Sequence, residues 1–177
     1  ALAAVDRRRF LPDVPDDWVY EDGVLPDGLH HSQPLTVARL CSLSEIGPDD
    51  RVLEVGTGSG YQTAVLVNLG PSSVVTIERD ADWADQARAR LRELPGVRVV
   101  TGDGRAGWPE GAPYDVVVVN AAAAEPPRAL LAQTAPTGRL VMPIGDADGQ
   151  EWQVWERLPS GDWDRTSHGP VRFVPLV

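Results

Sequence analysis

The sequence predicts an α/β protein with a doubly wound, mostly parallel sheet and an antiparallel C-terminal strand. Three observations lead to this fold class. Valine-rich runs without polar alternation are typical of strands that are buried on both faces, as in a parallel sheet. Segments with apolar residues at helical spacing separate these runs, so strand and helix alternate along the chain. Towards the C-terminus, apolar and polar residues alternate on both sides of a turn, which indicates a hairpin.

The N-terminal part contains the less regular elements. Residues 1–10 resemble the end of a helix, and the arginine run 7–9 lies among aspartates, which predicts a solvated surface segment. Prolines and glycines then interrupt any pattern. A helix is predicted over residues 33–43, with Ser32 as its N-cap, Pro34 in its first turn and Gly47-Pro48 at its end.

Strands and helices are predicted in turn from residue 52 onwards. The predicted strands cover residues 52–55, 74–77, 97–100, 116–119 and 140–143. The predicted helices cover residues 63–69, a segment capped by Asp80, and residues 127–134. The C-terminal hairpin is predicted from the alternating residues 152–156, a turn at Ser160-Gly161 and a final strand over residues 171–177.

Composition excludes several classes of protein. The length of 177 residues suits one domain, so we expect residues 1–177 to form a single domain. The net charge is −10, with 26 acidic residues against 16 basic ones, all arginine, which disfavours a nucleic-acid or membrane-surface partner. One cysteine and three histidines offer no metal site. No membrane-spanning run or signal peptide is visible, so we expect a cytoplasmic protein.

The strongest motif is a glycine loop, Leu-Glu-Val-Gly-Thr-Gly-Ser-Gly at residues 53–60, between a predicted strand and a predicted helix. Glycine lets a backbone turn tightly and lets a ligand approach closely. We therefore expect this loop to bind a cofactor. The predicted cofactor residues of the loop are Gly56, Thr57, Gly58, Ser59 and Gly60.

Three acidic residues indicate which cofactor is bound. Glu78 ends the second predicted strand, where a carboxylate can accept hydrogen bonds from ribose hydroxyls. Glu54 lies two residues before the first glycine, where it would repel a pyrophosphate but attract a cation. Asp103 lies between two glycines after the third strand and could accept a hydrogen bond from an adenine amino group. S-adenosylmethionine, with its sulfonium and ammonium, fits this pattern better than a nicotinamide dinucleotide, which remains the rival cofactor.

Seven segments resemble a known family in their order along the chain. They are ALAAVDRRRFLPD, SQPLTVARL, RVLEVGTGSGYQTAVL, VVTIER, GDGRAGWPEGAPYDVVVV, GRLVMPIG and VRFVPLV. On these segments the chain resembles the protein-L-isoaspartate O-methyltransferases, which are class I S-adenosylmethionine-dependent enzymes. The resemblance implies a Rossmann-like seven-stranded methyltransferase domain that lacks the family's N-terminal helix. It also implies methyl transfer to an isoaspartyl carboxylate of a protein or peptide, with collapse of the ester to a succinimide.

The resemblance also implies roles for particular residues. S-adenosyl-L-methionine would be converted to S-adenosyl-L-homocysteine, and Ser32 matches the active-site serine. Matched or adjacent cofactor residues, beside those of the glycine loop, are Glu78, Arg79, Asp103 and Gly104. Val171, Arg172 and Phe173 match a segment that lies near the peptide substrate. From their positions, His30 and His31 beside the serine and Asn120 and Ala121 after the fourth strand are further expected substrate contacts. The acceptor carboxylate is already an anion near pH 7, so the reaction needs alignment more than a strong base.

One departure from the family pattern leaves alternatives open. Leu29-His30-His31-Ser32 stands where the family usually has Gly-Gln-Thr-Ile-Ser. Related enzymes with a shorter loop esterify aspartate in ribosomally made peptides, so such peptide tailoring is one alternative. A non-catalytic module that binds the cofactor or a peptide is another. A nucleic-acid methyltransferase is not expected, because the fourth strand is followed by Asn120-Ala121-Ala122-Ala123 and not by the usual Pro-Pro-aromatic motif.

Overall fold

A seven-stranded sheet forms the centre of the protein in the computed structural model, which describes residues 1–23 and 31–177. The strands are β1 (Arg51–Val55), β2 (Ser73–Glu78), β3 (Val97–Thr101), β4 (Tyr114–Val119), β5 (Thr134–Gly145), β6 (Gln150–Arg157) and β7 (Trp163–Val171). Their order across the sheet is β3-β2-β1-β4-β5-β6-β7. The pairings among β1 to β5 are parallel, and β6 and β7 extend the sheet antiparallel. The predicted fold class is confirmed.

Helices cover both faces of the parallel part of the sheet. The described α-helices are α1 (Asp16–Val19), α2 (Pro34–Ser44), α3 (Tyr61–Val67), α4 (Ala81–Leu91) and α5 (Arg128–Gln133). Val52 and Val116 pack into one core together with side chains of α2, α3 and α4, whereas Leu53 and Val117 pack into a second core with Leu130 of α5. Successive residues of β1 and β4 are thus buried on opposite faces, which explains their unalternating apolar sequences. No helix in the described ranges is both long enough and apolar enough to cross a membrane.

The helix ends agree with the sequence in one case and differ in another. Asp80 caps α4, because its carboxylate accepts hydrogen bonds from the backbone N–H groups of Asp82 and Trp83. The prediction that Ser32 caps α2 is wrong. Pro34 is the first residue of that helix, so the N-cap position falls on Gln33, which makes no side-chain capping bond. Glu45, in the left-handed conformation, ends α2 before Gly47-Pro48 is reached.

The N-terminal segment also differs from the prediction. It forms two short 3₁₀ turns, Leu2–Ala4 and Arg7–Arg9, and not the end of an α-helix. Asp6 caps the second turn by accepting a hydrogen bond from the N–H of Arg8. That turn directs the three arginines differently: Arg8 and Arg9 are exposed, but Arg7 is only 1% exposed. The prediction of a solvated arginine run is therefore wrong for Arg7.

The chain after β7 returns to the parallel part of the sheet. The predicted final strand over residues 171–177 is wrong, because β7 ends at Val171 and, within residues 1–23 and 31–177, the segment beyond it makes a single bridge, between Pro175 and Ala122. The Ala122 N–H donates to the Val174 carbonyl, and the Leu176 N–H donates to the Ala122 carbonyl. This C-terminal segment (residues 172–177) thus lies beside the residues that follow β4.

Candidate active site

A crevice is expected where the winding of the sheet reverses, between β1 and β4. The chain runs from β1 outwards to β2 and β3, and from β4 in the other direction to β5. The connections after β1 and β4 therefore leave the sheet in opposite directions, and ligands bind at this point in open α/β sheets. Gly56 follows β1 directly and Asn120 follows β4 directly. The predicted glycine loop and the predicted substrate residue are neighbours in the structure.

The glycine loop turns back over the end of β1. Gly56, Gly58 and Gly60 all have positive φ angles, of 93°, 52° and 88°, which side chains disfavour. The Gly56 N–H donates to the Ile77 carbonyl over 2.8 Å, which ties the loop to β2. A Cβ atom on Gly56 would lie 3.1 Å from the Cβ of Asn120. Glycine is therefore required at Gly56 by both conformation and space.

Only part of the glycine loop is open to a ligand. Gly56 and Gly58 are half-buried, whereas Thr57, Ser59 and Gly60 are buried. The Thr57 hydroxyl lies 2.7 Å from the hydroxyl of Thr76, and the Ser59 hydroxyl accepts from the N–H of Tyr61. These two side chains therefore point into the protein. A ligand at this loop would contact backbone atoms of the glycines.

Glu54 lies beneath the loop and is completely buried. Its Oε2 accepts hydrogen bonds from the hydroxyls of Thr63 and Thr76, over 2.5 and 2.7 Å. Its Oε1 accepts from the amides of Gln62 and Asn120, over 3.1 and 3.3 Å. The sequence suggested direct contact with the cofactor, but these four donors place Glu54 behind the loop. Any contribution to cofactor binding would come from its charge and from the groups it holds in place.

The Glu54 network also fixes Asn120. The Asn120 amide donates to the Gly56 carbonyl over 2.9 Å, and its Oδ1 accepts from the Gln62 amide over 2.7 Å. Burial raises the pKa of Glu54 to about 7, although the four hydrogen bonds oppose this rise. The end of β1 and the end of β4 are therefore joined by one buried polar network whose central carboxyl changes its charge near neutral pH.

Glu78 holds the glycine loop from the neighbouring strand. Its Oε2 accepts from the Gly58 N–H over 2.9 Å, and its Oε1 accepts from the Asp80 N–H over 3.1 Å. A carboxylate has about four acceptor sites, so each oxygen retains one for a ligand. Glu78 is half-buried at the sheet edge. Arg79 beside it is exposed and donates to the Val177 carbonyl over 3.4 Å, which connects this edge to the C-terminal segment.

Asp103 and Gly104 lie after β3, at the same edge of the sheet. The Asp103 carboxylate caps the turn Gly104–Ala106 and forms an ion pair with Arg105, with 2.8 Å between Oδ2 and Nη2. The hydrogen bonds of this Arg105 side chain lower the pKa of Asp103. Gly104 is buried, and a Cβ there would overlap the Val55 side chain. Asp103 is thus ionised and exposed to solvent, and the Arg105 guanidinium donates hydrogen bonds to both of its carboxylate oxygens.

Ser32 and His31 lie in the turn that precedes α2. The Ser32 carbonyl accepts a hydrogen bond of 2.8 Å from the Arg7 guanidinium. The His31 ring packs edge-on against Trp83 in the first turn of α4, with ring centroids 5.8 Å apart. The turn before α2 thus reaches the helix that follows Glu78. His30, the other histidine expected to contact substrate, lies outside the described residues, as does Leu29.

The remaining predicted substrate residues follow β4 and β7. Ala121 is buried beside Asn120. Phe173 packs edge-on against Trp152 and exchanges two hydrogen bonds with the Gln150 side chain, while Arg172 is exposed and Val171 is half-buried. The pairing of Ala122 with Val174 and Leu176 brings this segment next to Ala121. Their roles in substrate binding stay predictions.

Comparison with known proteins identifies the family. The family model for protein-L-isoaspartate(D-aspartate) O-methyltransferase matches residues 1–177. A protein-L-isoaspartate O-methyltransferase of Methylorubrum extorquens is 45% identical over 180 residues, which cover 100% of this chain and 78% of the relative. One from Pelotomaculum thermopropionicum is 44% identical, with coverage of 100% and 79%. The chain belongs to the protein-L-isoaspartate(D-aspartate) O-methyltransferase family.

Solved structures agree with this family membership. A protein-L-isoaspartate O-methyltransferase has a TM-score of 0.84 at 27% identity, covering 97% of this chain; the chain spans 58% of that protein. A Plasmodium falciparum protein described as a member of the same class, in complex with S-adenosyl-L-homocysteine, has a TM-score of 0.78 at 22% identity, with coverage of 99% and 87%. The second likeness shows the fold alone. The membership predicted from the sequence motifs is confirmed.

Some residues of this candidate site were missed in the sequence. The hydrogen-bond partners of Glu54 on α3 and β2 were not singled out, nor was the buried Arg7. Gln62 and Thr63 were visible as two polar residues in an otherwise apolar helix, Tyr61–Val67. Such a pair indicates a buried polar contact, because polar groups inside a protein need partners. Arg7 gave no comparable signal, since it has the same sequence context as the exposed Arg8.

Asp103→Asn is expected to weaken binding of S-adenosylmethionine about threefold to tenfold, because an amide accepts a hydrogen bond less strongly than a carboxylate. Asparagine caps helical turns as well as aspartate does, so the melting temperature is expected to change little. Isothermal titration calorimetry measures the affinity. Asp162→Asn, in the turn between β6 and β7, is the matched control. An unchanged Kd for Asp103→Asn would remove Asp103 from the cofactor site.

Proposed function

We propose that this chain transfers the methyl group of S-adenosylmethionine to the free α-carboxylate of L-isoaspartyl residues in proteins or peptides. The observation that carries the proposal is the glycine loop at the β1–β4 crevice. Its open backbone is held by the ionisable Glu78 on one side and lies above Glu54 and Asn120 on the other. Family membership over the whole chain supports the same reaction.

The residues at the crevice fit this cofactor. Acidic groups of β1, β2 and the turn after β3 face or underlie one edge, which suits a ligand with a sulfonium and an ammonium. The Oε1 atom of Gln62 is buried and has no donor among the residues that the structure describes. An acceptor left without a partner is costly, so a donor from a water or a bound ligand is expected near it. Gly56 and Gly58 would receive the amino-acid part, and Glu78 and Asp103 the nucleoside part.

S-adenosylmethionine supplies the methyl group. An oxygen of the isoaspartyl carboxylate forms a new bond to the methyl carbon while the carbon–sulfur bond breaks, and the electron pair of that bond remains on sulfur. The acceptor is already ionised at pH 7, so no side chain has to remove a proton. The protein's task is to orient the acceptor, and orientation alone can lower a barrier by up to about 7–11 kcal/mol. Ser32 would donate a hydrogen bond to the second carboxylate oxygen.

The deciding experiment uses labelled S-adenosylmethionine and matched peptides that differ only in aspartate or isoaspartate. The proposal predicts base-labile label on the isoaspartyl peptide alone. Label on aspartate alone would support the peptide-tailoring alternative, and bound cofactor without any label would support the non-catalytic module. Either of these results would overturn the proposed reaction.

Ser32→Ala tests the role of the serine in the same assay. Loss of one hydrogen bond to a charged group costs about 1.5–3 kcal/mol, so kcat is expected to fall about 10- to 100-fold. The Kd of the cofactor is expected to stay within about twofold. Ser160→Ala, in the exposed turn after β6, serves as control. Wild-type kcat in Ser32→Ala would show that Ser32 does not contact the substrate.

A further inference from the structure

Arg7 is a buried cation between the turn that carries Ser32 and the start of α3, and the proposed reaction does not use it. The residue is 1% exposed, and its Nη2 donates to the Ser32 carbonyl over 2.8 Å. Its guanidinium lies over the ring of Tyr61, with 5.2 Å between Cζ and the ring centroid. Tyr61 is the first residue of α3, directly after the glycine loop. One side chain thus contacts the turn that carries Ser32 and the helix that follows the cofactor loop.

This arrangement is costly for the folded protein. Nε and Nη1 of Arg7 are buried without an acceptor in the part of the chain that the structure describes. No carboxylate of residues 1–23 or 31–177 forms an ion pair with Arg7. Desolvation lowers the pKa of its guanidinium. An apolar side chain of similar shape would avoid the cost of burying a charge and two donors without acceptors. Stability of the fold is therefore a poor explanation for an arginine at this position.

The backbone of Arg7 is fixed independently of its side chain. Its N–H donates to the Tyr20 hydroxyl over 3.0 Å, and that hydroxyl donates to the Asp6 carboxylate over 2.9 Å. The guanidinium therefore projects from an anchored turn. Its contacts with Ser32 and Tyr61 set the distance between two groups that lie far apart in the chain.

We propose that Arg7 is a positioning residue for methyl transfer, which holds Ser32 at a fixed distance from the glycine loop through the Ser32 carbonyl and the Tyr61 ring. This inference rests on the proposed function of Ser32. It assigns Arg7 no contact with substrate or cofactor. Removing its guanidinium should let the Ser32 turn move while the cofactor loop, which Glu78 and Ile77 hold, stays in place.

A double-mutant cycle tests this role. Arg7→Met keeps an unbranched apolar stem and removes the guanidinium with its hydrogen bond, which is expected to lower kcat about tenfold with the cofactor Kd within about twofold. In the Ser32→Ala background the same substitution should lower kcat by less than about twofold, since the serine it positions is gone. Arg9→Met, an exposed neighbour in the same turn, is the control. Arg7→Lys, which keeps the charge, replaces Arg7→Met in the cycle if the latter does not fold.

Hydrogen–deuterium exchange provides a readout that does not depend on turnover. Arg7→Met should speed exchange of the amides at the start of α2, residues 35–37, and leave those of α3 unchanged. Equal slowing of kcat in both backgrounds, unchanged exchange at α2, or loss of cofactor binding together with kcat would overturn the positioning role. If wild-type protein methylates no isoaspartyl peptide, the proposed function fails, and the exchange result still decides whether Arg7 holds the Ser32 turn.

Discussion

Replacing Glu54 with alanine is expected to lower the free energy of unfolding by about 3–5 kcal/mol, a large share of the stability of a typical domain. The substitution removes the acceptor of four buried side-chain donors, on Gln62, Thr63, Thr76 and Asn120. Each buried donor left unpaired costs about 1–3 kcal/mol, and movement of the hydroxyls recovers part of this. Urea denaturation at pH 8 with circular dichroism detection measures the loss.

Glu54→Gln is the matched variant for this prediction. Its carbonyl can occupy the Oε1 position and accept from the two amides, while its NH₂ group occupies the Oε2 position. The hydroxyls of Thr63 and Thr76 can rotate to accept from that NH₂ group. The glutamine variant should therefore retain most of the stability that the alanine variant loses. If both variants are equally destabilised, an acceptor oxygen at this position is not sufficient for stability. The negative charge of Glu54 or the exact geometry of its hydrogen bonds would then account for the loss.

Wild-type protein and Glu54→Gln together test the raised pKa of Glu54. The pKa of Glu54 is about 7 in the folded protein, above the ordinary glutamate value of 4.5 that applies to the unfolded chain, so folding favours the protonated form. The stabilisation from this group is fully present below pH 4.5 and is lost as pH rises through 7. Relative to Glu54→Gln, wild-type protein should lose about 3 kcal/mol of unfolding free energy between pH 4.5 and pH 8. A difference that does not change with pH would mean that Glu54 titrates normally.

Glu78→Ala is expected to weaken binding of S-adenosylmethionine about 100-fold and to leave the fold intact. Two ribose hydrogen bonds to a carboxylate would be lost, which costs about 3 kcal/mol in total at the low end of the range for charged acceptors, and the loop would lose its tie at Gly58. Glu78 is half-buried at the sheet edge, so its removal leaves no large cavity. Isothermal titration calorimetry measures the Kd, and circular dichroism checks the fold.

Two further variants interpret the result for Glu78. Glu78→Gln keeps one acceptor oxygen and should bind the cofactor with an affinity between those of wild type and Glu78→Ala. Glu151→Ala removes an exposed carboxylate from β6, which is four strands from β2 in the order of the sheet, and should bind like wild type. If Glu78→Ala binds the cofactor with wild-type affinity, the nucleoside does not bind at Glu78 at the end of β2.

The parallel core of the fold was predictable because its sequence signals are local. Valine runs such as Val116–Val119 have no polar face, and only a strand covered on both sides accommodates them. Asp80 was also predictable as a cap, since it immediately precedes a helical pattern. The glycine loop could be placed at the end of β1 for the same reason. These features depend on neighbours in sequence.

The features that were missed depend on contacts between distant residues. Arg7 is buried against Ser32 and Tyr61, which lie far from it in the sequence. Glu54 was expected at the cofactor surface, but Thr63 and Thr76 surround it from α3 and β2. The C-terminal segment was predicted to be a strand from its apolar residues, yet it forms an isolated bridge with Ala122 in place of a ladder. Nothing in their immediate sequence distinguishes these residues from exposed or regular ones.

The reversal of winding between β1 and β4 has a thermodynamic consequence. Gly56 belongs to the half of the chain that is wound in one direction, and Asn120 to the half wound in the other. A molecule that touches both can bind only while both halves are folded, so its binding energy adds to the cohesion of the whole domain. At a concentration of 100 times its Kd such a molecule contributes about 2.7 kcal/mol. A cofactor at Gly56 together with a substrate at Asn120 would then raise the free energy of unfolding of the whole domain.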